Sequence, residues 1–338
     1  MKIDVVLITY GEPEANSFLE QWKFSNRILF KLTRLVAPIP KAAVPLIGAW
    51  RGYGRRKTWR EERYISPLET ITRRQADFTQ KALNARNDGN AWRVHIAYEF
   101  RRPSLDEVLR QIRDQACEQL ILVPMYLPIS DFTSGISQRD FQRFQEANGR
   151  PLPEARMVVF RSCHREISHV MADYVRRQLE NLGIMGEQRK EYGLLLGCHG
   201  TVMTPPPGIS DAGYCDTKQA YDNLEEELKP EFKSVAIGWL NHRLGGEWTS
   251  PTLHASVQTM LDQGIENLIY FPFGFLADNA ETQLEGRMIL RDLGVEKYHH
   301  LPCVNDDPKF MEFLVERIMQ ESARENSGEI EGGVIHNE

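Results

Sequence analysis

Gly193-Leu-Leu-Leu-Gly-Cys-His-Gly200 is a continuously apolar run that ends in a histidine. A second run, Ile269-Tyr-Phe-Pro-Phe-Gly-Phe-Leu-Ala-Asp-Asn-Ala-Glu281, ends in a carboxylate. Both runs are typical of buried parallel strands, because they are apolar throughout and stop at small or turn-forming residues. Ligands of open α/β sheets lie beyond the carboxyl ends of the strands. We therefore expect His199 and Glu281 to face one cleft, where they could bind a metal ion and transfer protons.

Strand-like runs alternate with amphipathic segments along the whole chain, which predicts an α/β fold with parallel sheets and right-handed crossovers. Because the alternation occurs twice, we predict two similar doubly wound lobes, at 1–155 and 156–305. The linker between them is predicted near Gly149-Arg-Pro-Leu-Pro153. A final helix at about 306–322 is predicted to pack back on the first lobe. Strands are predicted at 5–9, 94–98, 120–127, 157–160, 192–196, 234–239 and 267–273. Helices are predicted at 66–83, after Ser104, and at 164–182, 218–228, 252–261 and 309–319.

The composition excludes several classes of protein. The chain has 338 residues and is 41% hydrophobic, which is enough for two domains with cores. A net charge of -6 argues against a dedicated nucleic-acid binder, which usually carries a basic face. The five cysteines include no CxxC pair, so neither a structural zinc site nor a disulfide framework is indicated. A cytoplasmic, reducing location fits this pattern.

The membrane signals are weak. The N-terminal region begins with a strand-like run rather than a basic region followed by an apolar stretch, so we expect no secretion signal. The apolar segment 35–50 is interrupted by three prolines and a lysine, so it is too broken to span a bilayer. It could touch a membrane surface, line a pocket or belong to an ordinary helical layer. We expect peripheral membrane contact at most.

Each candidate site residue also has a purely structural interpretation. His199 could simply form a local hydrogen bond at a strand end. Asp278-Asn-Ala-Glu281 has the spacing of a capping box, in which Asp278 is the N-cap and Glu281 reaches back to it. Glu285 follows Glu281 by four residues, so both carboxylates would share one helical face. Two carboxylates that face one cleft favour a cation between them.

Other polar and aromatic clusters also allow both a functional and a structural interpretation. Tyr10 ends the first predicted strand, where a phenol could contact a bound ring or only pack at a turn. The stretch 51–63 carries six basic residues and two aromatic ones, which suits carboxylates and flat rings but also a solvated face. We interpret Ser162 as the N-cap of a helix, which explains the nearby His164 and His169, and His299-His300 as a surface turn.

Taken in order, seven segments of the chain resemble the ferrochelatase family, whose members insert ferrous iron into a porphyrin late in heme biosynthesis. No segment is decisive by itself, but their order and spacing together are specific. The segments are Leu7-Ile-Thr-Tyr-Gly-Glu-Pro13, Ile65-Ser-Pro-Leu-Glu-Thr-Ile-Thr72, 98–109, Cys198-His199-Gly200, Trp248 with Pro251, 273–282 and Asn305-Asp-Asp-Pro-Lys-Phe310.

The resemblance implies two flavodoxin-like lobes with a porphyrin cleft, and a monomer or weak dimer. It implies that His199 and Glu281 act at the metal and that Glu285 extends an acidic row. Three further residues would contact the porphyrin: Tyr10, Arg60 and Ser66. Ferrous iron and the porphyrin would be substrates, and no bound cofactor would be required. Some members hold an iron–sulfur cluster with C-terminal cysteines; here only Cys303 lies in that region, so no cluster is predicted.

The chain departs from the family at two positions. Asn279 stands where the family usually has a histidine, and Ile289 stands where a further acid is common. Both changes keep open a porphyrin- or heme-binding relative without catalysis. A chelatase for another tetrapyrrole, such as sirohydrochlorin, is a second alternative; those enzymes usually present two active-site histidines, and the sequence indicates only His199. An unrelated two-lobed small-molecule binder is a third. The residues do not choose between protoporphyrin IX and coproporphyrin III.

Overall fold

A computed structural model describes residues 1–33, 39–147, 151–205, 207–242 and 246–324. The chain forms two compact units. The first consists of the described parts of Met1–Val159, Pro206–Asp211 and Met311–Glu338, and the second of Phe160–Pro205 and Ala212–Phe310. Part of the predicted linker (149–150) and part of the apolar segment (35–38) lie outside the described residues.

The first unit contains a four-stranded parallel sheet in the order β2-β1-β3-β4. Its strands are β1 (Lys2–Thr9), β2 (Ala91–Tyr98), β3 (Gln119–Pro124) and β4 (Ala155–Met157). Its helices are α1 (Phe18–Ile28), α2 (Val44–Glu61), α3 (Leu68–Ala85), α4 (Leu105–Asp114) and α5 (Ser134–Ala147), with a π-helical turn at Leu29–Thr33 and a 3₁₀ turn at Lys41–Ala43.

The second unit repeats this topology in a parallel sheet of order β6-β5-β7-β8. Its strands are β5 (Tyr192–His199), β6 (Ser234–Leu240), β7 (Asn267–Phe271) and β8 (Lys297–His300). Its helices are α6 (Glu166–Asn181), α7 (Tyr214–Leu228), α8 (Leu253–Asp262) and α9 (Gly286–Asp292), with 3₁₀ turns at Ser162–His164, Gly186–Glu191 and Lys229–Glu231. The last helix is α10 (Pro308–Ala323).

These two sheets confirm the predicted α/β fold of doubly wound, parallel architecture. The central strands form where the sequence is continuously apolar, because helices cover both faces: every residue of β1 after Lys2 is buried. The local signals are confirmed as well. Ser104 caps α4 in a full capping box with Glu107, and the face formed by Leu105, Val108, Leu109 and Ile112 is buried. Gly264 follows α8 with a φ of +71°.

Two local predictions were wrong. His299 and His300 do not form a surface turn but lie on β8, which pairs with β7 in register Ile269 with His299 and Tyr270 with His300. Ser162 does not cap α6, because a 3₁₀ turn begins at Ser162 and its N–H donates to the Asp216 carboxylate at 3.0 Å. In both cases polar residues pair with a neighbouring element, which local propensity does not reveal.

From Met311 onward α10 belongs to the first unit, and its C-terminal end bonds to the sheet of that unit. The Gln119 side chain donates to the Ser322 carbonyl at 3.1 Å and accepts from the Ser322 hydroxyl at 2.7 Å. The Arg156 guanidinium donates to the Glu321 carbonyl at 2.7 Å. These bonds attach the end of α10 beside β3 and β4, the strands that carry Gln119 and Arg156.

The described part of the apolar segment 35–50 enters α2, where Leu46 and Trp50 are exposed. The basic stretch 51–63 continues this helix rather than forming a loop. Across the described ranges, no helix is both long enough and apolar enough to cross a membrane. Peripheral membrane contact stays a prediction.

Candidate active site

His199 is the last residue of β5, a strand that is buried up to Cys198 and emerges at the histidine. Because successive side chains of a strand point to opposite faces, Cys198 enters the core while His199 turns outward. The side chain of His199 is 44% exposed. The strand end therefore presents an accessible imidazole on a rigid support.

Glu281 begins a π-helical turn, Glu281–Glu285, in which the Gly286 N–H donates to the Glu281 carbonyl. The turn is capped by Asn279, whose Oδ1 accepts from the N–H groups of Glu281 (2.9 Å) and Thr282 (3.2 Å). Single π turns recur at functional sites because they re-aim the side chains of a helix. This cap leaves the Glu281 carboxylate free of the reciprocal capping bond.

The purely structural interpretation, in which Asp278 caps this turn in a capping box with Glu281, was wrong. The Asp278 carboxylate instead accepts from the Cys303 N–H and the Asn305 amide, both at 2.8 Å. The Glu281 side chain, which would have completed the capping box, contacts His199 instead.

Two glycines let the Glu281 turn pack closely against β5. A Cβ at Gly197 would lie 2.4 Å from the Tyr270 ring, and a Cβ at Gly286 would lie 2.6 Å from it. The Tyr270 ring is thus held between the strand that ends at His199 and the helix that follows Glu281. Bulkier residues at either position would push these elements apart.

His199 and Glu281 meet in direct contact. The Nδ1 atom of His199 lies 2.7 Å and 2.9 Å from the two carboxylate oxygens of Glu281. Partial burial disfavours the charged imidazole, but the Glu281 charge, its hydrogen bond and the more distant Glu285 charge outweigh it and raise the pKa of His199 above its usual value. The pair can therefore hold a proton, or exchange it for a metal ion.

A third residue, His242, joins this pair and was missed by the sequence analysis. Its ring centroid lies 5.0 Å from that of His199. One ligand atom from each of His199, His242 and Glu281 lies within 4.8 Å of the others, and no other such group was found among the residues that the structure describes. A second histidine therefore lies beside the one that the sequence indicated. The signal that pointed to His242 was its position two residues after the end of β6, because ligands of such sheets lie beyond the carboxyl ends of the strands.

The other expected residues of the acidic row lie nearby. Glu285 ends the π turn and is exposed. Ile289, the position at which the family resemblance implied a further acid, packs partly buried against the core that contains Leu290. The row is therefore two carboxylates long in this chain.

The residues expected to contact a porphyrin lie in the first unit. Tyr10 is half-buried and packs edge-on against Phe24 and Phe100, with ring centroids 5.8 Å and 4.9 Å away. The Ser66 hydroxyl donates to the buried Glu12 carboxylate at 2.6 Å. Arg60 is exposed on α2. Contact of Tyr10, Ser66 and Arg60 with a ligand stays a prediction.

Comparison with known proteins identifies one family over nearly the whole chain: the sequence model of the ferrochelatase family matches residues 2–322. Among curated proteins, the chain is 24% identical to the ferrochelatase of Synechococcus elongatus, over 94% of this chain and 82% of that protein. It is 25% identical to the ferrochelatase of Brucella canis, over 94% and 91%.

Solved structures with a similar fold include sirohydrochlorin chelatases. SirB from Bacillus subtilis with Fe3+ superimposes with a TM-score of 0.56 at 12% identity, covering 96% of both chains. The cobalt complex of the sirohydrochlorin chelatase SirB from Bacillus subtilis subspecies spizizenii gives a TM-score of 0.51 at 10% identity, covering 98% of this chain and 99% of that one. At these identities the likeness concerns the fold alone.

Proposed function

The chain belongs to the ferrochelatase family and is a tetrapyrrole metal chelatase, and from that premise we propose that it inserts Fe(II) into a porphyrin, protoporphyrin IX or coproporphyrin III, in heme biosynthesis. The observation that carries this proposal is the contact between His199 and Glu281 at 2.7 Å. An imidazole beside a carboxylate, both reachable from solvent, supplies the ligand and the base that metal insertion requires.

Metal insertion has two chemical requirements, which this pair can meet. Fe(II) must exchange water for new ligands, and two pyrrole N–H protons must leave the macrocycle. We assign His199 as proton acceptor and metal ligand, and Glu281 as the group that orients the imidazole and holds the metal. Because Glu281 raises the pKa of His199, the imidazole is a stronger base than free histidine.

The macrocycle itself must be bound and bent, since a planar porphyrin hides its nitrogen lone pairs. For this role we keep the porphyrin contacts implied by the family: Tyr10, Arg60 and Ser66. An arginine suits a propionate carboxylate, and an aromatic ring suits the flat macrocycle. We propose no bound cofactor and no iron–sulfur cluster.

A second candidate function is insertion of a metal ion into sirohydrochlorin. It is favoured by one observation, the second histidine at the site, because we expect a sirohydrochlorin chelatase to present two active-site histidines. The His199–Glu281 contact fits both functions. An assay with each macrocycle is therefore needed to separate them.

The test is one anaerobic assay with Fe(II) and each of three macrocycles: protoporphyrin IX, coproporphyrin III and sirohydrochlorin. Absorbance spectra follow insertion, and fluorescence quenching follows binding. We expect enzyme-dependent insertion into one of the two porphyrins. Insertion into sirohydrochlorin alone would select the second candidate. Binding of porphyrin without any insertion would instead identify a non-catalytic relative.

A further inference from the structure

We propose that His199, His242 and Glu281 form a three-ligand site that holds one divalent transition-metal ion on the protein in the absence of any tetrapyrrole. The inference rests on the proposed function in one respect: this ion would be the metal that the enzyme inserts into the macrocycle. It adds His242 to the two residues that the family implies, and it assigns an order in which metal can bind before the macrocycle.

The distances require little rearrangement. The ligand atoms of the three residues lie within 4.8 Å of one another. Around a metal ion with bonds of about 2.1 Å, neighbouring ligand atoms lie about 3 to 3.5 Å apart. Nδ1 of His199 is already 2.7 Å from the Glu281 carboxylate. Small side-chain rotations would therefore enclose an ion.

The backbone that leads to His242 is held against the strand of His199. Leu240, the last residue of β6, lies in register with His199, and its carbonyl accepts from the Gly200 N–H at 2.8 Å. A Cβ at Gly200 would lie 1.9 Å from Oδ1 of Asn241, so glycine is what permits this approach. The first residue after β6 is thus fixed beside the first residue after β5.

Asn241 and Trp248 make further contacts that hold the segment leading to His242. The Asn241 amide donates to the Thr249 carbonyl at 2.7 Å and accepts from the Thr249 hydroxyl at 3.0 Å. The Trp248 ring packs edge-on against His242 with centroids 5.9 Å apart. The backbone of Trp248 in turn pairs with Val202, just beyond His199. These contacts place His242 as a supported side chain beside His199.

The chemistry of the three ligands selects a class of metal. Two imidazoles with one carboxylate suit Fe(II), Co(II), Ni(II) and Zn(II), whereas Mg(II) prefers oxygen ligands throughout. Three protein ligands also leave coordination positions for water, which the nitrogens of a macrocycle could later replace. The site is therefore suited to holding a metal that must afterwards leave.

Co(II) titration of the full-length protein without tetrapyrrole tests the proposal, by isothermal calorimetry and by the visible absorption of the metal. We expect one Co(II) per chain, unaffected by excess Mg(II). We expect the dissociation constant to rise at least tenfold in His242→Ala. The matched control is His254→Ala, an exposed histidine of α8 outside the site, which should bind as the wild type does.

A second measurement needs no variant. Proton NMR of the Co(II) complex shows strongly shifted, exchangeable N–H signals from each coordinated imidazole, and we expect two. One signal, or unchanged Co(II) affinity in His242→Ala, would overturn the role of His242. Displacement of Co(II) by Mg(II) would overturn the ligand assignment.

The two proposals fail in different ways. A wild-type protein that inserts metal into a tetrapyrrole but binds no Co(II) alone overturns the three-ligand site and leaves the proposed function standing. A protein that binds Co(II) with two imidazoles but metallates none of the macrocycles supports the site and overturns the proposed enzyme activity.

Discussion

At the scale of single residues, Asn279 shows how a departure from the family pattern is accommodated. An asparagine carries neither a proton nor a charge, but its carbonyl oxygen can accept hydrogen bonds. Here that oxygen accepts from two N–H groups at the start of the turn that carries Glu281. The side chain therefore positions Glu281, whatever else a histidine does there in relatives.

Asn279→Ala removes this cap and should lower the free energy of unfolding by about 1 kcal/mol. Urea denaturation measures the loss. Asn279→Ser is the matched control, because a hydroxyl can still accept a hydrogen bond from the turn, and it should retain most of the stability. Equal losses in the two variants would argue against capping as the role of Asn279.

His199→Ala should abolish metal insertion while tight tetrapyrrole binding persists, because the variant loses the proposed base and metal ligand but keeps the rest of the chain. Loss of a general base alone corresponds to about 10²-fold in rate. The control is His169→Ala, which removes another histidine–glutamate pair. Nδ1 of His169 lies 3.2 Å from the Glu227 carboxylate, and the His169 side chain is 66% exposed. Near-normal turnover of His199→Ala would refute the assignment.

The residues of the site also differ in how far the sequence predicts them. His199 and Glu281 could be predicted because each ends a long apolar run, and the carboxyl ends of parallel strands share an edge. His242 follows β6, which is a signal by itself, but its relation to His199 depends on β6 lying next to β5. That adjacency is a property of the sheet order, which the sequence around His242 does not give.

At the scale of elements, the contact between β5 and the Glu281 turn depends on the two glycines that flank Tyr270. Gly286→Ala places a Cβ 2.6 Å from that ring and should destabilise the protein by about 1–3 kcal/mol. Gly54→Ala is the same change in α2, where a Cβ has no neighbour within 4 Å, and should stabilise by up to about 1 kcal/mol. Thermal unfolding should thus shift in opposite directions.

A buried ion pair joins β1 to β2 in the first unit. Arg93 and His95 donate to the Asp4 carboxylate, which has no exposed side-chain surface. Burial raises the pKa of Asp4, but the hydrogen bonds from His95 and Arg93 outweigh it, and the pKa lies below its ordinary value of 3.8. The carboxylate is therefore bonded and charged throughout the neutral range.

Asp4→Asn should cost about 3 kcal/mol at pH 7, because the variant leaves Arg93 without its charged partner. Since the folded pKa is depressed, the stabilisation is fully present above pH 3.8 and is lost as the pH falls through the lower, folded pKa. Unfolding measured from pH 7 to pH 2 should show the two proteins converging only at the acidic end. A constant difference across this range would contradict the ionic explanation.

Among the elements, strands that form an apolar run were predictable, whereas the polar edge strand β8 was not. The strands β1, β5 and β7 appear as apolar runs, since both of their faces are covered. The edge strand β8 consists of Lys-Tyr-His-His, and only its pairing with β7 makes it a strand. The helices α1, α2 and α5 were missed because turn signals and basic residues obscure their periodicity.

At the scale of the whole molecule, the repeated alternation of strands and helices was enough to predict two sheets of the same topology. Right-handed crossovers and short connections leave few ways to arrange such a pattern. The fold does not determine the substrate, because one fold can carry different binding sites and so serve several macrocycles. This is why the fold could be predicted from the sequence and the choice of tetrapyrrole could not.

Metal binding should be visible in the stability of the folded chain. If Co(II) binds the native state alone, a concentration of 100 times the dissociation constant should raise the free energy of unfolding by about 2.7 kcal/mol. In His242→Ala, a tenfold weaker site should lower this gain by about 1.4 kcal/mol at the same metal concentration. Calorimetric melting with and without Co(II) checks both values, and an unchanged melting temperature in the wild type would contradict them.

The three proposed ligands lie on three different elements: His199 at the end of β5, His242 two residues after β6, and Glu281 at the start of the π turn. A codon change at such a position replaces a ligand without repacking the interior. Preference for one transition metal over another could therefore drift during evolution by single substitutions, while the scaffold that presents those ligands is inherited intact.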